Sequence, residues 1–386
     1  MKTAKRLETF EAYLGTAMNV ILTRMKKEGK DVINLGLGDP DVVPPEGQRK
    51  ALADACMKAT NHHYPSFYSS MPLKEAISGW YKRRFGVECD PETEVLPLLG
   101  SAEGLFHINT CLLDVGDTAL VPDPCYPAYV AGARIAGGVM ESVPLLKENG
   151  FVPDLDSIDP EIARRARMIW VNYPNNPTAA VAPDEFYTKL IDWANRYEVA
   201  VIADNPYSEV CFEDYRPPSF LQFDGAKEVG VELNSLSKSY NCCGWRVGMM
   251  LGNREIIEGV NKIKSHSDRG IFYPLQVAAA AALNGPTDFM RERNLMYQER
   301  RDAVIKGLRD VGLEAMVPKA TFYVWSSIPK GATSRDFCFR ALEEANIWMI
   351  PGSMYGKFGE GYLRIALTHP LDRLEEAMDR LKKFMS

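Results

Sequence analysis

The chain has no stretch built to cross a membrane. Its run 271–287 carries no charge, but Pro274, Gln276, Asn284 and Gly285 interrupt it and alanine fills its middle, which marks a packed helix. A secretory leader is not expected either: the first residues are basic, but Glu8 and Glu11 break any apolar segment behind them. Eight cysteines occur without a single C-x-x-C pair, which leaves reduced thiols in a cytoplasmic protein as the expectation and calls for no metal. Adjacent Cys242 and Cys243 read as small buried fillers. Positive charge is in short supply: 45 Lys and Arg against 51 Asp and Glu give a net charge of −6, too few cations for a general nucleic-acid binder. There is no block of like charges, no internal repeat and no low-complexity linker. The turn at 36–41, "GLGDPD", lacks the dinucleotide fingerprint, because Asp41 stands at its last position and Pro40 blocks the helix that should follow.

What the chain does have is a recurring unit. At 386 residues it is long enough for two packed domains, and its 46% apolar and 25% charged residues are those of an ordinary globular protein. Short apolar runs end in turns at 118–124, 167–174, 199–207, 229–237 and 246–253, and amphipathic helical patterns such as "APDEFYTKLIDWANRYE" lie between several of them. Continuous apolar strands alternating with helices predict an α/β fold with a mainly parallel sheet covered on both faces. After residue 284 the texture changes to a long charged helix, the strands "FYVWSSIP" and "GYLRIAL", and two further helices. The expected division is therefore an N-terminal arm over 1–45 that packs on the small domain, a large domain over 46–284, and a small α+β domain over 285–386.

In open α/β sheets ligands sit at the carboxyl ends of the strands. After "EVLPLL" come Gly100 and a helix start, so the amides of Ser101, Ala102 and Glu103 are candidates for a phosphate, although a plain capped helix reads the same way. After "MIWVN" comes "YPNNPT", with Asn176 beside a proline; after "VAVIA" comes "DNPY", with Asp204 and Tyr207. A carboxylate leaving a buried strand needs a cation or a hydrogen-bonded partner. After "VGVELN" come Ser235, Ser237 and Lys238, with Arg246 eight residues on. Lysine, carboxylate, phenol, amide and a phosphate cradle are the set that a pyridoxal phosphate site requires.

"SLSKSYNCCGWRVG", "NYPNNPT" and "ADNPY" resemble, in order and spacing, the motifs of the class I/II aminotransferases, the fold-type-I pyridoxal phosphate enzymes. The similarity runs from "INLGLGDPD" to "YLRIAL". It implies a seven-stranded, mainly parallel sheet in the large domain and a homodimer with shared active sites. It implies that Lys238 is the aldimine lysine, Asp204 the partner of the ring nitrogen, and Tyr207 and Asn176 the ligands of the ring oxygen. Ser235, Ser237, Arg246 and the amides of Ala102 and Glu103 match phosphate ligands, and Tyr126 the aromatic residue stacked on the ring. Tyr64 matches a tyrosine that reaches the neighbouring subunit's phosphate. Arg364 matches the arginine that grips the substrate α-carboxylate, and Gly38 a backbone that approaches the substrate.

Within the family, "GDPDVVPP", "RFGVECDPETEVLPLLGSAEG" and "YRPPSFLQFDGAKEVGVELNSLSKSYN" resemble the short-form LL-diaminopimelate aminotransferases, which implies transfer from LL-diaminopimelate to 2-oxoglutarate. Alanine-type transaminases share much of this, and "IKSHSDRGIFYPLQVAAAAAL" looks more like them. "GSAEG" stands where the diaminopimelate enzymes usually carry "GSKEG", and "DNPY" where they have small residues before the tyrosine. Arg269 lies roughly where aspartate-specific relatives carry a side-chain arginine from the partner subunit; the alternative is a surface or helix-capping arginine. A β-eliminating lyase on the same cofactor is a further alternative. An aminotransferase-like module of a transcription regulator is not expected, since the residues before the large domain are too few for a winged helix.

Overall fold

The computed structural model describes residues 7, 14–65 and 70–386; part of the expected N-terminal arm, 1–6 and 8–13, lies outside them. The first strand is Ile33–Asn34 (β1). Seven strands then build one sheet: Val95–Leu98 (β2), Thr118–Asp123 (β3), Val139–Pro144 (β4), Ala166–Asn172 (β5), Ala200–Asp204 (β6), Gly230–Ser235 (β7) and Gly248–Gly252 (β8). Their order is β2-β8-β7-β6-β5-β3-β4. Pairing is parallel from β4 through β7, and β8 alone runs against both of its neighbours.

The strands are apolar along their length because both faces are covered. Side chains alternate between the faces: Met168, Trp170, Ile202, Leu233 and Met250 form one core with the helices Ser101–Leu112, Pro127–Ala136 and Arg254–Ser267. Ile169, Val171, Val201, Ala203 and Met249 join the opposite core with the helices Met71–Phe85, Asp184–Tyr197 and Tyr273–Asn284. The last of these is the uncharged run 271–287, helical as its composition implies.

The remaining strands are Tyr323–Ser327 (β9), Ile347–Trp348 (β10), Ile350–Pro351 (β11) and Tyr362–Ala366 (β12). β11, β12 and β9 form an antiparallel sheet, while β10 pairs in parallel with β1, Ile33 opposite Ile347. Met18, Met25, Ile33 and Leu35 share a third core with Tyr297, Val304 and Leu308 of the long helix Asp288–Asp310 and with Leu374 and Leu381.

The register of the large sheet decides where chemistry can gather. Asn172 lies opposite Asp204, Asp204 opposite Leu233, and Gly248 opposite both Ser235 and Leu98. The polar residues that follow these positions emerge along one edge.

Candidate active site

That edge opens on a cavity of about 640 Å³ between the large sheet and the residues of β1, β10 and β12. Twelve of the residues singled out in the sequence line it: Gly38, Ser101, Ala102, Tyr126, Asn176, Asp204, Tyr207, Ser235, Ser237, Lys238, Arg246 and Arg364.

Asp204 ends β6 and is buried. Its Oδ2 accepts from the Tyr129 hydroxyl at 2.6 Å, while Oδ1 has no partner among the described residues. A buried carboxylate oxygen without a donor is costly, and burial pushes this carboxyl up from 3.8 to about 7, with the Tyr129 hydrogen bond opposing the rise. Tyr129 is fixed in turn by stacking on Trp170, with centroids 4.6 Å apart. Asn172 donates to the Asp204 carbonyl and accepts from the Asn176 amide, which ties β5 to β6 beyond their ladder.

Ser235 ends β7 and caps the four-residue helix Leu236–Ser239 by accepting from the Ser237 amide. The next turn presents Lys238, whose Nζ donates to the Gly38 carbonyl at 2.7 Å. Gly38 is pressed against β9: a Cβ there would come within 1.9 Å of the Tyr323 hydroxyl. That hydroxyl also accepts from Tyr207 at 3.2 Å. Arg364 on β12 donates to Asn176 Oδ1 at 2.8 Å and to the Gly36 carbonyl at 2.7 Å, and its guanidinium lies 4.0 Å from the Tyr323 ring centroid.

At the end of β2, Gly100 has φ +74° and starts the helix Ser101–Leu112. A Cβ on Gly100 would lie 2.4 Å from Arg246 Nη2, so only glycine lets the guanidinium close on the helix start. The amides of Ser101 and Ala102, first in the helix, have no intrahelical acceptor. The Glu103 amide differs from the expectation: it donates to the Gly100 carbonyl. The Glu103 side chain turns from the cavity to accept from the Leu99 amide and from Lys264. Burial raises this carboxyl, and donors including His107 and Lys264 more than offset that, holding it at about 2. Ligand atoms of Glu103, His107 and Asp268 lie within 4.8 Å of one another, but Lys264 Nζ already bonds both carboxylates.

Two of the sequence-derived residues lie away from the cavity. Tyr64 is 83% exposed and Arg269 stands over its ring at 5.3 Å, so the two lie together on the surface. Cys242 is buried and Cys243 half-buried, both as free thiols; burial pushes them up to about 12 and about 11. Neither is a nucleophile at neutral pH, although Cys243 does line the cavity.

The sequence reading missed Tyr129, Asn172 and Tyr323. Tyr129 carried a signal, since it stands three residues after Tyr126, which is the N-cap of the helix that carries it. Tyr323 carried none, because it reaches the cavity from a distant strand.

The set fits pyridoxal phosphate. A buried carboxylate oxygen awaits a cationic N–H, free amides and a guanidinium meet at a helix start, and one amine enters between them. In the cofactor-free protein, Asp204 and the equally buried Glu232, also raised to about 7 by burial, bind protons more tightly folded than unfolded. Their stabilisation is full below about pH 4 and is lost as pH rises through 7. The cofactor-free protein is therefore expected to lose thermal stability across that window, and Asp204→Asn and Glu232→Gln each to flatten the decline. Melting temperatures from pH 4.5 to 7.5 test this; a slope identical in both variants and wild type contradicts it.

Comparison with known proteins agrees with this geometry. Residues 30–381 match the family model described as aminotransferase class I and II. The chain is 45% identical over 382 residues to an LL-diaminopimelate aminotransferase from Halothermothrix orenii, covering 99% of this chain and 98% of that one. It is 47% identical over 379 residues to an LL-diaminopimelate aminotransferase from Desulforudis audaxviator, covering 98% and 97%. Among solved structures, substrate-bound BacF from Bacillus subtilis superposes with a TM-score of 0.95 at 37% identity, covering 99% of this chain and 98% of that chain.

Proposed function

Because the chain belongs to the class I and II aminotransferases, which depend on pyridoxal phosphate, we propose that it moves the amino group of LL-diaminopimelate to 2-oxoglutarate. The observation that carries the reading of the site is the convergence of Lys238, the donorless oxygen of Asp204 and the Arg246-capped helix start on one cavity. The choice of substrate is supported by full-length similarity to enzymes of that name.

When bound, pyridoxal phosphate supplies an aldehyde that takes up amino groups and a ring that draws electrons from the substrate's α-carbon. This chain's residues do the rest. Ser101 and Ala102 amides, Ser235, Ser237 and Arg246 would hold the phosphate. Asp204, ionised, would keep the ring nitrogen protonated. Tyr207 and Asn176 would bind the ring oxygen, and Tyr126 would stack on the ring. Arg364, already bonded to Asn176 Oδ1, turns its fork to the α-carboxylate, a bidentate task that lysine does poorly. Lys238 Nζ would take the proton from the substrate's α-carbon, and the Gly38 carbonyl that accepts from it holds it at that edge. Two half-reactions on one site give ping-pong kinetics.

The active unit is a cytoplasmic homodimer in this reading. Among the described residues the charged ones that line the cavity are Asp204, Lys238, Arg246 and Arg364, all with duties at the cofactor or the α-carboxylate. The rest of the lining mixes apolar Met18, Leu22, Leu37 and Ile350 with Asn34, Trp348 and Tyr355, and holds no further cation among the described residues for a distal carboxylate. Arg269 supplies such a cation to the partner's site, and Tyr64, beside it on the surface, reaches the partner's cofactor phosphate. The lack of a further cation among the described lining residues favours an alanine-type reading if no second copy contributes.

Half-reactions of the reconstituted enzyme with LL-diaminopimelate, alanine, aspartate, methionine, aromatic amino acids and glutamate decide between them. LL-diaminopimelate is expected to react fastest. Arg269→Ala is expected to raise half-saturation for dicarboxylic substrates at least tenfold and leave alanine unchanged. Equal losses on alanine and dicarboxylates would remove Arg269 from the site.

A further inference from the structure

The β6–β7 ladder stops at Asp204 and the Asn205 amide, which donates to the Leu233 carbonyl, yet the groups that must address one cofactor ring lie at that limit or past it: Asp204 at the end of β6, Tyr207 beyond it, and Lys238 after β7. We propose that Arg293, on the long helix Asp288–Asp310, is a positioning residue that replaces the missing ladder and sets the reach of Lys238. The inference rests on the functional reading above.

Arg293 is 3% exposed. Its Nη1 donates to the carbonyl of Lys238 at 3.0 Å and to that of Ser239 at 2.6 Å. These carbonyls close a helix of only four residues, where the last C=O groups have no intrahelical donor. Nη2 of the same guanidinium donates to the carbonyl of Glu209, two residues past Tyr207, at 2.5 Å. Asn294 completes the clamp: its Oδ1 accepts from Nε and Nη2, and its Nδ2 donates to the same Glu209 carbonyl. One planar group thus spans the lysine segment and the aspartate–tyrosine segment.

Among the described residues Arg293 has no ion-pair partner within 4 Å; its hydrogen bonds go to carbonyl and amide oxygens, and the nearby Glu209 carboxylate, itself paired with Arg84, favours its charge from a distance. An apolar residue of similar volume would leave the Lys238, Ser239 and Glu209 carbonyls without this donor, so a loss of stability is expected beside any change in rate. A lysine, with a single nitrogen, cannot bond two carbonyls of one segment and a third across from them in a fixed plane. Arg301, two turns on and equally buried, is the natural comparison: it donates to the Pro318 carbonyl and pairs with Glu213, away from Lys238.

The test uses Arg293→Met, Arg293→Lys and Arg301→Met in the full chain. Two quantities are followed after adding pyridoxal phosphate: the rate of covalent attachment at Lys238, by absorbance and by borohydride trapping with mass spectrometry, and the single-turnover rate with LL-diaminopimelate. Misplacing the amine by an ångström costs roughly 100-fold, so both rates are expected to fall by about that factor in Arg293→Met. Half-saturation by substrate is expected to stay put because Arg364 is untouched, and Arg293→Lys should fall between. Arg301→Met is expected to lower the melting temperature and leave both rates near wild type. Should Arg293→Met fail to fold, Arg293→Lys carries the test. Either variant attaching cofactor and turning over within twofold of wild type overturns the inference alone. Failure of the wild-type chain to capture pyridoxal phosphate overturns the functional reading and this inference with it.

Discussion

Lys238→Ala is expected to abolish transamination and to erase the absorbance of the lysine-bound cofactor. Lys238 is the one lysine among the described residues lining the cavity, so none of them can take its place. The substitution removes two things at once. One is the covalent hold on the cofactor; the other is the base at the α-carbon, a role worth about 10²–10⁴ in rate on its own. The fold should survive, because Ser235 still caps the short helix and Arg293 still meets its carbonyls. Single-turnover measurements with saturating LL-diaminopimelate check the point. A residual rate above about a thousandth of wild type in a correctly folded variant would sink the assignment.

Asp204→Asn is the second large effect, and it separates charge from shape. The amide is nearly isosteric and can still accept from Tyr129, so the geometry at the end of β6 should persist. What disappears is the negative charge that keeps the ring nitrogen protonated. Removing one preorganised electrostatic partner of a transition state costs about 10²–10³-fold, and the half-reaction is expected to slow by that much. Attachment of the cofactor to Lys238 should continue, since it does not draw on this carboxylate. A half-reaction within fivefold of wild type would show that Asp204 does not serve the ring.

The strands and their polar ends were legible because a buried parallel strand is a nearly unbroken apolar run and the first polar residue after it stands out. Asp204 after "VAVIA" and Lys238 after "VGVELNSLS" were found that way, and the structure brings both to one cavity. Local pattern fails wherever a role depends on a partner from a remote element. Arg293 sits in a helix crowded with charge, "DFMRERNLMYQERRDAV", where Arg300 and Arg301 are buried as well, and nothing in that string marks it as the one that reaches the Lys238 segment. Lys264 was equally unmarked, although it is buried between Glu103 and Asp268. Glu103 illustrates a finer limit: a helix start suggests three free amides, and only the coordinates reveal that the third is spent on Gly100. Tyr64 and Arg269 lie side by side on the surface of one copy, a position that fits work in a neighbouring subunit and a plain surface arginine alike.

The pairing of β1 with β10 joins Ile33 to Ile347, more than three hundred residues later. During synthesis, β1 has no strand to pair with until the last part of the chain has left the ribosome. Met18, Met25 and Leu35, bound for the same core, stay uncovered for that interval. At about 5–20 residues per second the interval lasts roughly 15–60 s, long enough for the large sheet to form first. A chain stalled short of residue 347 is therefore expected to leave that apolar amino end exposed and prone to aggregation.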